Sequence, residues 1–184
     1  MKIYTKQGDS GNTQVYAKEV IRVDKDDILL ECYGTLDELN AWIGYCASCL
    51  SEHATLYEKF ILQSKELVAI QQQLFAIGFG ISDTDSTKSM KSTQAIELLE
   101  SSIDEMQAVL PAQTRFILPG GHSVAAQVHI ARTIARRAER CLVSVSKHHE
   151  VNALSLAYIN RLSDYLFTLA RMVNYLASTP DIEV

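Results

Sequence analysis

The chain has 184 residues, of which 47% are apolar and 21% charged, a composition typical of one globular domain with its own core. Seventeen basic and 22 acidic residues give a net charge of −5, so a general nucleic-acid binder is not expected. There is no run of about 18 apolar residues and no apolar segment at the start, so neither a membrane span nor a secretory signal is predicted. Four cysteines are too few for a disulfide scaffold, so a reducing cytoplasm is the expected compartment. The chain length predicts a single domain over residues 1–184.

The first 34 residues are predicted to form an ordered N-terminal arm. They are polar, with a short β-like patch at Thr13–Tyr16 and the segment TKQGDSGNT before and into it. The two glycines of this segment let the backbone bend tightly and point N–H groups at an anion. Thr5 and Lys6 add a hydroxyl group and a positive charge. The segment is not a Walker A loop, and a flexible glycine-containing terminus remains the alternative.

The rest of the chain, over residues 35–178, is predicted to be an all-α bundle of five amphipathic helices. Each has apolar residues at 3/4 spacing, and few helix breakers separate them. Thr35 and Glu38 form a capping box that starts the first helix. The polar stretch at 82–93 has no apolar period and should be a mobile loop. The other four helices are expected over about 55–81, from Ser92 or Thr93 until Pro111 stops the helix, from near Ser123 past Leu142, and from about Val151 to Ala177.

The arginines are concentrated in one part of this acidic chain. Seven of the eight lie between Arg115 and Arg171, and four fall within residues 132–140 of the fourth helix. A local cluster of guanidinium groups suggests one discrete anionic ligand rather than a long polyanion.

The spacing places Arg132, Arg136 and Glu139 within about 60° of one another, beside the apolar stripe of that helix. Guanidinium groups suit phosphate oxygens, and Glu139 can orient an arginine or accept a hydrogen bond from a ribose hydroxyl. A solvated charged face with i,i+4 ion pairs is the alternative.

Polar residues also lie on one face of the fifth helix. Asn160, Asp164, Phe167 and Arg171 follow i, i+4, i+7, i+11 spacing. This face predicts a hydrogen-bonded seam against another helix, which could be a structural polar network, a subunit contact or a ligand contact. In the first helix, Asp37 lies close to the expected N-terminus, where a carboxylate favours the helix dipole.

The sequence gives little indication of a metal site. Cys46 and Cys49 have CxxC spacing, but they lie inside a predicted helix and no second pair accompanies them, so packing is their expected role. No E-x-x-H motif occurs, which argues against a ferritin-like di-iron bundle.

Five segments, taken together, match one known family. They are TKQGDSGNT (5–13), GTLDELNAWIG (34–44), FILPGG (116–121), ARTIARRAER (131–140) and NRLSDYLFTLAR (160–171). In these segments and in their order, the chain resembles the PduO-type ATP:cob(I)alamin adenosyltransferases. Five segments in order are far more specific than any one of them.

The resemblance implies a five-helix bundle that assembles as a homotrimer with active sites between subunits. It implies transfer of the 5′-deoxyadenosyl group of ATP to the Co(I) of a reduced corrinoid, either cobalamin or cob(I)yrinic acid a,c-diamide. The products are the adenosylated corrinoid (adenosylcobalamin for cobalamin) and triphosphate. Since Co(I) is the nucleophile, none is required from the protein. Mg²⁺ would be held mainly by the triphosphate, without a dedicated protein cage.

The resemblance also implies the site residues, position by position. Asp37 and Arg132 match a pair that bridges subunits and shapes the site. Phe116 matches the aromatic residue that excludes the lower axial ligand of the corrinoid, leaving a four-coordinate Co(II) species that is easier to reduce. The expected nucleotide-binding residues are Thr5, Lys6, Gln7, Gly8, Thr13, Gln14, Lys25, Arg136, Arg137, Glu139, Arg140 and Asn160.

Two positions depart from the family pattern. Gln7 stands where a small residue such as Thr is common, and His122 follows the two glycines where a small polar residue is more usual. Binding residues look the same in an enzyme and in a bundle that only binds ATP. A non-catalytic sensor or cobalamin-delivery partner is therefore the alternative function.

Overall fold

Five helices and one small hairpin make up the structure, a computed structural model. It describes residues 2–4, 6, 8–16, 20–53, 59–82 and 89–184, with the main chain alone at 16, 20–21, 59–61 and 82. The elements in chain order are β1 (Asn12–Tyr16), β2 (Val20–Asp24), α1 (Ile28–Glu52), α2 (Lys59–Ser82), α3 (Gln94–Gln107), α4 (Ser123–Val145) and α5 (Ala153–Leu176). The predicted all-α class and the five-helix bundle are confirmed.

The core lies between the apolar stripes of the five helices. Helix α1 packs against α2 and α4, and α5 packs against α4 and α3. The largest fully buried side chains include Tyr158 and Tyr165 of α5. Tyr165 keeps its hydroxyl satisfied by donating a hydrogen bond to Glu66 Oε2 at 2.8 Å. None of the helices in the described ranges is long and apolar enough to cross a membrane.

The start of α1 differs from the prediction. The helix begins at Ile28, where Oδ1 of Asp27 accepts a hydrogen bond from the Leu29 N–H at 2.8 Å. Thr35, expected to be the cap, is buried inside the helix, and its hydroxyl donates to the Glu31 carbonyl oxygen. The predicted capping box was wrong because the apolar stripe extends back through Cys32 to Leu29, so the helix starts at Ile28 instead of Thr35, about two turns earlier.

Two other helix bounds also differ from the prediction. Helix α3 ends at Gln107, four residues before Pro111, because the Ala108 N–H closes the last turn onto the Asp104 carbonyl. Helix α5 starts at Ala153, since the Asn152 side chain caps the Leu154 N–H at 2.9 Å. The predicted start of the second helix, near residue 55, lies outside the described residues.

The N-terminal arm is shorter than expected and ends before Ile28. Its β-like patch is strand β1, and β1 pairs antiparallel with β2 so that Thr13 faces Val23 and Gln14 faces Arg22. The second strand was not predicted, because its sequence VIRVD is short and lies inside a polar region.

Part of the predicted mobile loop at 82–93 is packed into the fold. Residues 83–88 lie outside the described part of the chain. Beyond them, Ser89 and Met90 are buried, and Nδ2 of Asn152 donates to the Met90 carbonyl oxygen at 2.8 Å. The end of this polar stretch therefore joins the core just before α3.

Candidate functional site

The glycines of the arm make a tight turn, as the sequence predicted. The Gly11 N–H donates to the Gly8 carbonyl at 3.3 Å, and Gly11 has a positive φ of 86°. The Lys25 N–H donates to the Gly11 carbonyl at 2.9 Å, so Lys25 lies beside the turn. A Cβ atom on Gly8 would sit 3.4 Å from Lys25 Nζ. The turn thus joins two residues that are distant in sequence and were both predicted to bind the nucleotide.

The other predicted arm residues are less closely grouped. Lys6 is exposed and has φ of 61°, a left-handed conformation that is strained for a residue with a side chain. Thr13 and Gln14 lie on β1. Thr5 and Gln7 lie outside the described residues.

Three arginines on α4 form what we call the arginine sector: Arg132, Arg136 and Arg140. Each follows the last by one helical turn, so the three guanidinium groups leave the same side of the helix. Within the described ranges none of them has a carboxylate partner. The charged face is therefore not a set of i,i+4 ion pairs, and its positive charge remains available to an anion.

Arg137 is placed differently. Its guanidinium NH2 group forms an ion pair with Oε2 of Glu38, which joins α4 to α1. Both side chains are partly exposed. Glu38, expected to cap α1, thus acts in a helix–helix contact, and the predicted nucleotide contact of Arg137 stays a prediction.

Glu139 and Asn160 are brought together across α4 and α5. Asn160 Nδ2 donates to Glu139 Oε1 at 2.8 Å. The amide carbonyl of Asn160 and the second carboxylate oxygen of Glu139 remain able to accept hydrogen bonds. This pair adds fixed acceptors beside the arginine sector, as a ribose hydroxyl would require.

Arg132 is the most buried member of the arginine sector. Its Nε atom is buried and has no hydrogen-bond partner in the described part of the chain. Its guanidinium carbon lies 6.0 Å from the ring centroid of Phe167. Burial and the neighbouring Arg136 lower the pKa of Arg132, and the group stays protonated because arginine is not deprotonated in proteins.

His129, one helical turn before Arg132, was not predicted to matter. Its side chain is 3% exposed, and neither ring nitrogen has a described partner. Burial and the charge of Arg132 lower its pKa to about 4, against a smaller opposing effect of Asp181. The ring is therefore neutral at pH 7 and packs 6.1 Å from the Phe167 ring centroid.

Asp37 lies on α1, where it is exposed and has no ion pair among the described residues. It lines a groove of about 410 Å³ between α1 and α2. The apolar side chains of Leu30 and Phe75 form other parts of that groove. Arg132 and Asp37 are therefore not paired with each other inside one chain.

Phe116 projects into solvent, with 85% of its surface exposed. The turn that follows is held from below by Asn174 of α5, whose Oδ1 accepts from the His122 N–H at 2.9 Å and whose Nδ2 donates to the Gly120 carbonyl at 3.0 Å. His122 in turn caps α4, because its Nδ1 accepts from the Val124 N–H. The histidine that departs from the family pattern thus has a local structural use.

The predicted face of α5 is divided among separate partners. Asn160 bonds to Glu139, Asp164 pairs with Arg161, and Arg171 pairs with Asp181. Phe167 lies beside His129 and Arg132. The expected hydrogen bond to another helix is therefore present at Asn160, while the other polar residues of this face have separate partners.

The cysteines agree with the packing prediction. Cys46 is fully buried, and Cys49 packs against the core. Burial raises the pKa of Cys46 and of Cys32 to about 12, which makes both thiols poor nucleophiles. Over the described ranges no three His, Cys, Asp or Glu side chains group so as to hold a metal ion.

Asn174 and Asp181 are the residues that sequence reasoning missed. Asn174 is 2% exposed within an apolar stripe, and a buried amide at such a position was an available signal of hydrogen bonding. Asp181 follows the last helix, and its sequence position carried no signal of its contacts.

The chain is similar to known proteins over most or all of its length. The sequence matches the family described as Cobalamin adenosyltransferase over residues 3–173. The corrinoid adenosyltransferase of Bacillus subtilis is 42% identical over 184 residues, which cover 100% of this chain and 92% of that protein. Corrinoid adenosyltransferase PduO of Salmonella typhimurium is 41% identical over 177 residues, which cover 93% of this chain but only 49% of that protein.

One similar solved structure is that of a phenylalanine-to-alanine variant of the PduO-type ATP:corrinoid adenosyltransferase from Lactobacillus reuteri, complexed with cobalamin and ATP. It has a TM-score of 0.89 and 40% sequence identity, and the match covers 100% of this chain and 99% of that one. The family match thus covers residues 3–173, and the relative and the solved structure each match 100% of this chain. This chain belongs to the cobalamin adenosyltransferase family.

Proposed function

We propose that this chain is an ATP:corrinoid adenosyltransferase. It transfers the 5′-deoxyadenosyl group of ATP to the Co(I) centre of a reduced corrinoid. A Co–C bond forms with the electron pair of Co(I) as the C5′–O bond breaks, and the pair of the broken bond leaves with triphosphate. The protein has to hold the reactants in line and stabilise the leaving charge, since the nucleophile belongs to the corrinoid.

The arginine sector is the observation that carries this proposal. Arg136 and Arg140 are exposed on α4 without carboxylate partners in the described chain, so binding an anion costs them no existing ion pair. Charge-assisted hydrogen bonds to phosphate oxygens are among the stronger polar interactions in proteins. The two guanidinium groups are therefore suited to bind the triphosphate in ATP and to stabilise it as it leaves.

The Glu139–Asn160 pair is assigned to the nucleoside. The hydrogen bond between the two side chains fixes their orientation before a ligand arrives. Acceptors that are already in place lose less conformational entropy on binding than free side chains do. We assign to this pair the ribose hydroxyls of ATP.

We assign to the N-terminal turn a second set of phosphate contacts, opposite those of the arginine sector. Lys6, Gly8 and Lys25 make no described hydrogen bond or ion pair to α4. One chain therefore supplies two separate half-sites, the arm and the arginine sector. We propose that the arm of one subunit closes over α4 of its neighbour in a homotrimer, where Thr5, Gln7, Thr13 and Gln14 complete the contacts.

The pair Arg132 and Asp37 supports the same assembly. Arg132 has a buried nitrogen without a partner, and Asp37 is an exposed carboxylate beside an apolar groove. A charged group that is partly buried needs an opposite charge. We propose that Arg132 pairs with Asp37 of a neighbouring copy. Static light scattering should then give three times the chain mass, and Asp37→Ala should lower it.

Phe116 is assigned to the corrinoid. An aromatic side chain that is 85% exposed gains free energy when a large apolar ligand covers it. The Lactobacillus reuteri relative altered at a phenylalanine was complexed with cobalamin as well as ATP. In the proposed role, the ring occupies the lower face of the corrinoid and keeps the axial ligand away from Co(II).

Mg²⁺ is proposed to accompany ATP. The described part of the site holds no set of carboxylates suited to a cage for this ion. The phosphate oxygens themselves are hard ligands of the kind that Mg²⁺ prefers. We therefore assign the ion to the triphosphate.

All four cysteines are free thiols, which favours a reducing compartment such as the cytoplasm.

The proposal is tested by mixing the protein with ATP, Mg²⁺ and chemically reduced cob(I)alamin. The absorbance spectrum of adenosylcobalamin should appear, with one triphosphate released per turnover. Heat-unfolded protein is the control for uncatalysed reaction. No spectral change at saturating ATP would contradict the proposal. ATP binding without triphosphate release would support the non-catalytic sensor or delivery protein.

A further inference from the structure

The chain that follows α5 folds back onto the segment that carries Phe116. Ser178 adopts φ of 52°, and this left-handed residue reverses the chain at the end of the helix. The Thr179 N–H then donates to the Asn174 carbonyl at 2.9 Å. After this reversal, residues 181–184 run alongside residues 116–118.

Two main-chain hydrogen bonds join these segments. The Leu118 N–H donates to the Ile182 carbonyl at 2.8 Å, and the Val184 N–H donates to the Phe116 carbonyl at 2.9 Å. Ile117 and Glu183 form the antiparallel bridge between them. Phe116 therefore lies on one strand of a short ribbon, and its main chain is fixed although its ring is exposed.

Asp181 anchors the other strand of the ribbon. Its Oδ2 accepts from Arg171 Nε at 2.9 Å, and its Oδ1 accepts from Asn174 Nδ2 at 3.0 Å. The Arg171 and Asp181 side chains are only 11% and 19% exposed, so water screens this pair weakly. Arg171 also donates from NH2 to the Pro111 carbonyl at 2.9 Å.

The same node holds the far end of the Phe116 segment. Asn174 binds Asp181 and also the Gly120 carbonyl and the His122 N–H. The segment from 116 to 121 is thus held at its start by the ribbon and at its end by Asn174. The carboxylate of Asp181 contacts both connections, since Asp181 directly precedes the ribbon strand and accepts a hydrogen bond from Asn174.

We infer that Asp181 is a positioning residue for Phe116 in the adenosyltransferase reaction. It fixes the main chain of Phe116 before a corrinoid binds. Binding then does not have to provide the conformational entropy cost of ordering this segment. The proposed role requires no contact of Asp181 with ATP or cobalt. This inference rests on the proposed function, and it adds that displacement of the axial ligand depends on a carboxylate outside the site. Phe116 is proposed to exclude the axial ligand of the Co(II) corrinoid. Loss of the Asp181 carboxylate should therefore slow the reaction that starts from Co(II) most.

The test uses Asp181→Asn, with Glu183→Gln as the matched control. Glu183 carries the same charge two residues later, and its carboxylate is exposed and 3.9 Å from the exposed Arg115. Asp181→Asn should increase amide hydrogen exchange at Leu118 and Val184 in the free protein. It should lower the rate from cob(II)alamin plus reductant about tenfold to a hundredfold, while the rate from preformed cob(I)alamin stays within about threefold.

A second pair of variants tests the ribbon without touching the ion pair. Val184→Pro removes the N–H that donates to the Phe116 carbonyl, whereas Val184→Ala keeps it. Val184→Pro should show the same selective loss and a smaller fraction of four-coordinate Co(II) in the electron paramagnetic resonance spectrum of the ATP complex. Val184→Ala and Glu183→Gln should match the unchanged protein in both readouts.

Three outcomes would overturn the inference. They are equal loss from Co(I) and Co(II) in Asp181→Asn, unchanged Co(II) kinetics despite faster exchange, or an effect of Glu183→Gln as large as that of Asp181→Asn. The proposed function fails separately, because only its failure leaves the unchanged protein inactive with cob(I)alamin. Melting temperatures of all variants, measured at one protein concentration, identify any that fail to fold, and then the Val184 pair decides.

Discussion

The side chain of Asn174 lies directly beneath Gly121, where no other residue type fits. A Cβ atom added to Gly121 would sit 2.6 Å from Asn174 Nδ2 and 2.7 Å from its Cγ. Gly121 also has φ of 97°, which side chains rarely tolerate. The close approach lets one buried amide bond to both sides of this turn, and it connects the segment of Phe116 to α5.

Gly121→Ala should therefore destabilise the protein by at least about 2 kcal/mol, since it combines a left-handed backbone with a steric clash. The melting temperature should fall by roughly 4–8 °C for a chain of this size. Gly120→Ala is the matched control, because a Cβ there meets nothing within 4 Å and Gly120 has no positive φ. Similar melting temperatures for the two variants would contradict the assigned role of this contact.

Arg136→Ala should impair the use of ATP without unfolding the chain. Arg136 is exposed and has no described ion pair, so its loss removes charge from the site and leaves the packing intact. A charge-assisted hydrogen bond is worth about 1.5–3 kcal/mol, so kcat/KM for ATP should fall about 10- to 150-fold.

Lys147→Ala is the control for Arg136→Ala. It removes an exposed cation just beyond the end of α4. Steady-state kinetics with preformed cob(I)alamin measure both variants. Unchanged kinetics for Arg136→Ala would exclude a phosphate contact, and equal losses in the two variants would point to the overall charge of the protein.

Phe116→Ala should spare the reaction of preformed cob(I)alamin more than the reaction that starts from cob(II)alamin. The ring is proposed to displace the axial ligand, which is needed only while cobalt is Co(II). Leu118→Ala is the control, because Leu118 is another exposed apolar side chain on the same segment. Stopped-flow absorbance should show a Co(II)-specific loss in the Phe116 variant alone. The ligand-displacement role is refuted if both starting states lose activity equally.

His129 should make the stability of the protein depend on pH below neutrality. Its pKa of about 4 lies below the usual 6.5, so between these values the unfolded chain binds the proton more readily than the folded one. This contribution to stability is present above pH 6.5 and is lost as the pH falls towards 4. The loss between pH 7.5 and pH 5 should amount to about 2 kcal/mol.

Urea unfolding of His129→Leu should therefore show a smaller drop in stability between pH 7.5 and pH 5. The control His148→Leu alters an exposed histidine and should keep the full pH dependence. Both should be measured at one protein concentration, because an oligomer's stability depends on it. Equal pH dependence in the two variants would show that another group carries the effect.

The helices and the arginine sector were predictable because they depend on neighbours along the chain. Apolar residues at 3/4 spacing marked all five helices, and Leu39, Ile43 and Leu50 are buried as the stripe of α1 required. The same period placed Arg132 and Arg136 on one side of α4. The start of α1 was missed because Thr35 and Glu38 match a capping box, although the apolar stripe continues back to Leu29 and Asp27 is the cap.

The partners that meet across the bundle could not be read from spacing. Arg137 finds Glu38, which is 99 residues away, and Asn174 lies under Gly121 only because α5 passes beneath that turn. Asp181 reaches Arg171 because Ser178 reverses the chain. Periodicity follows from interactions within about four residues, so the amino-acid order specifies each helix and its buried face. Which polar groups meet is decided by how those faces pack, and hence the anchoring of Phe116 emerged only from the tertiary structure.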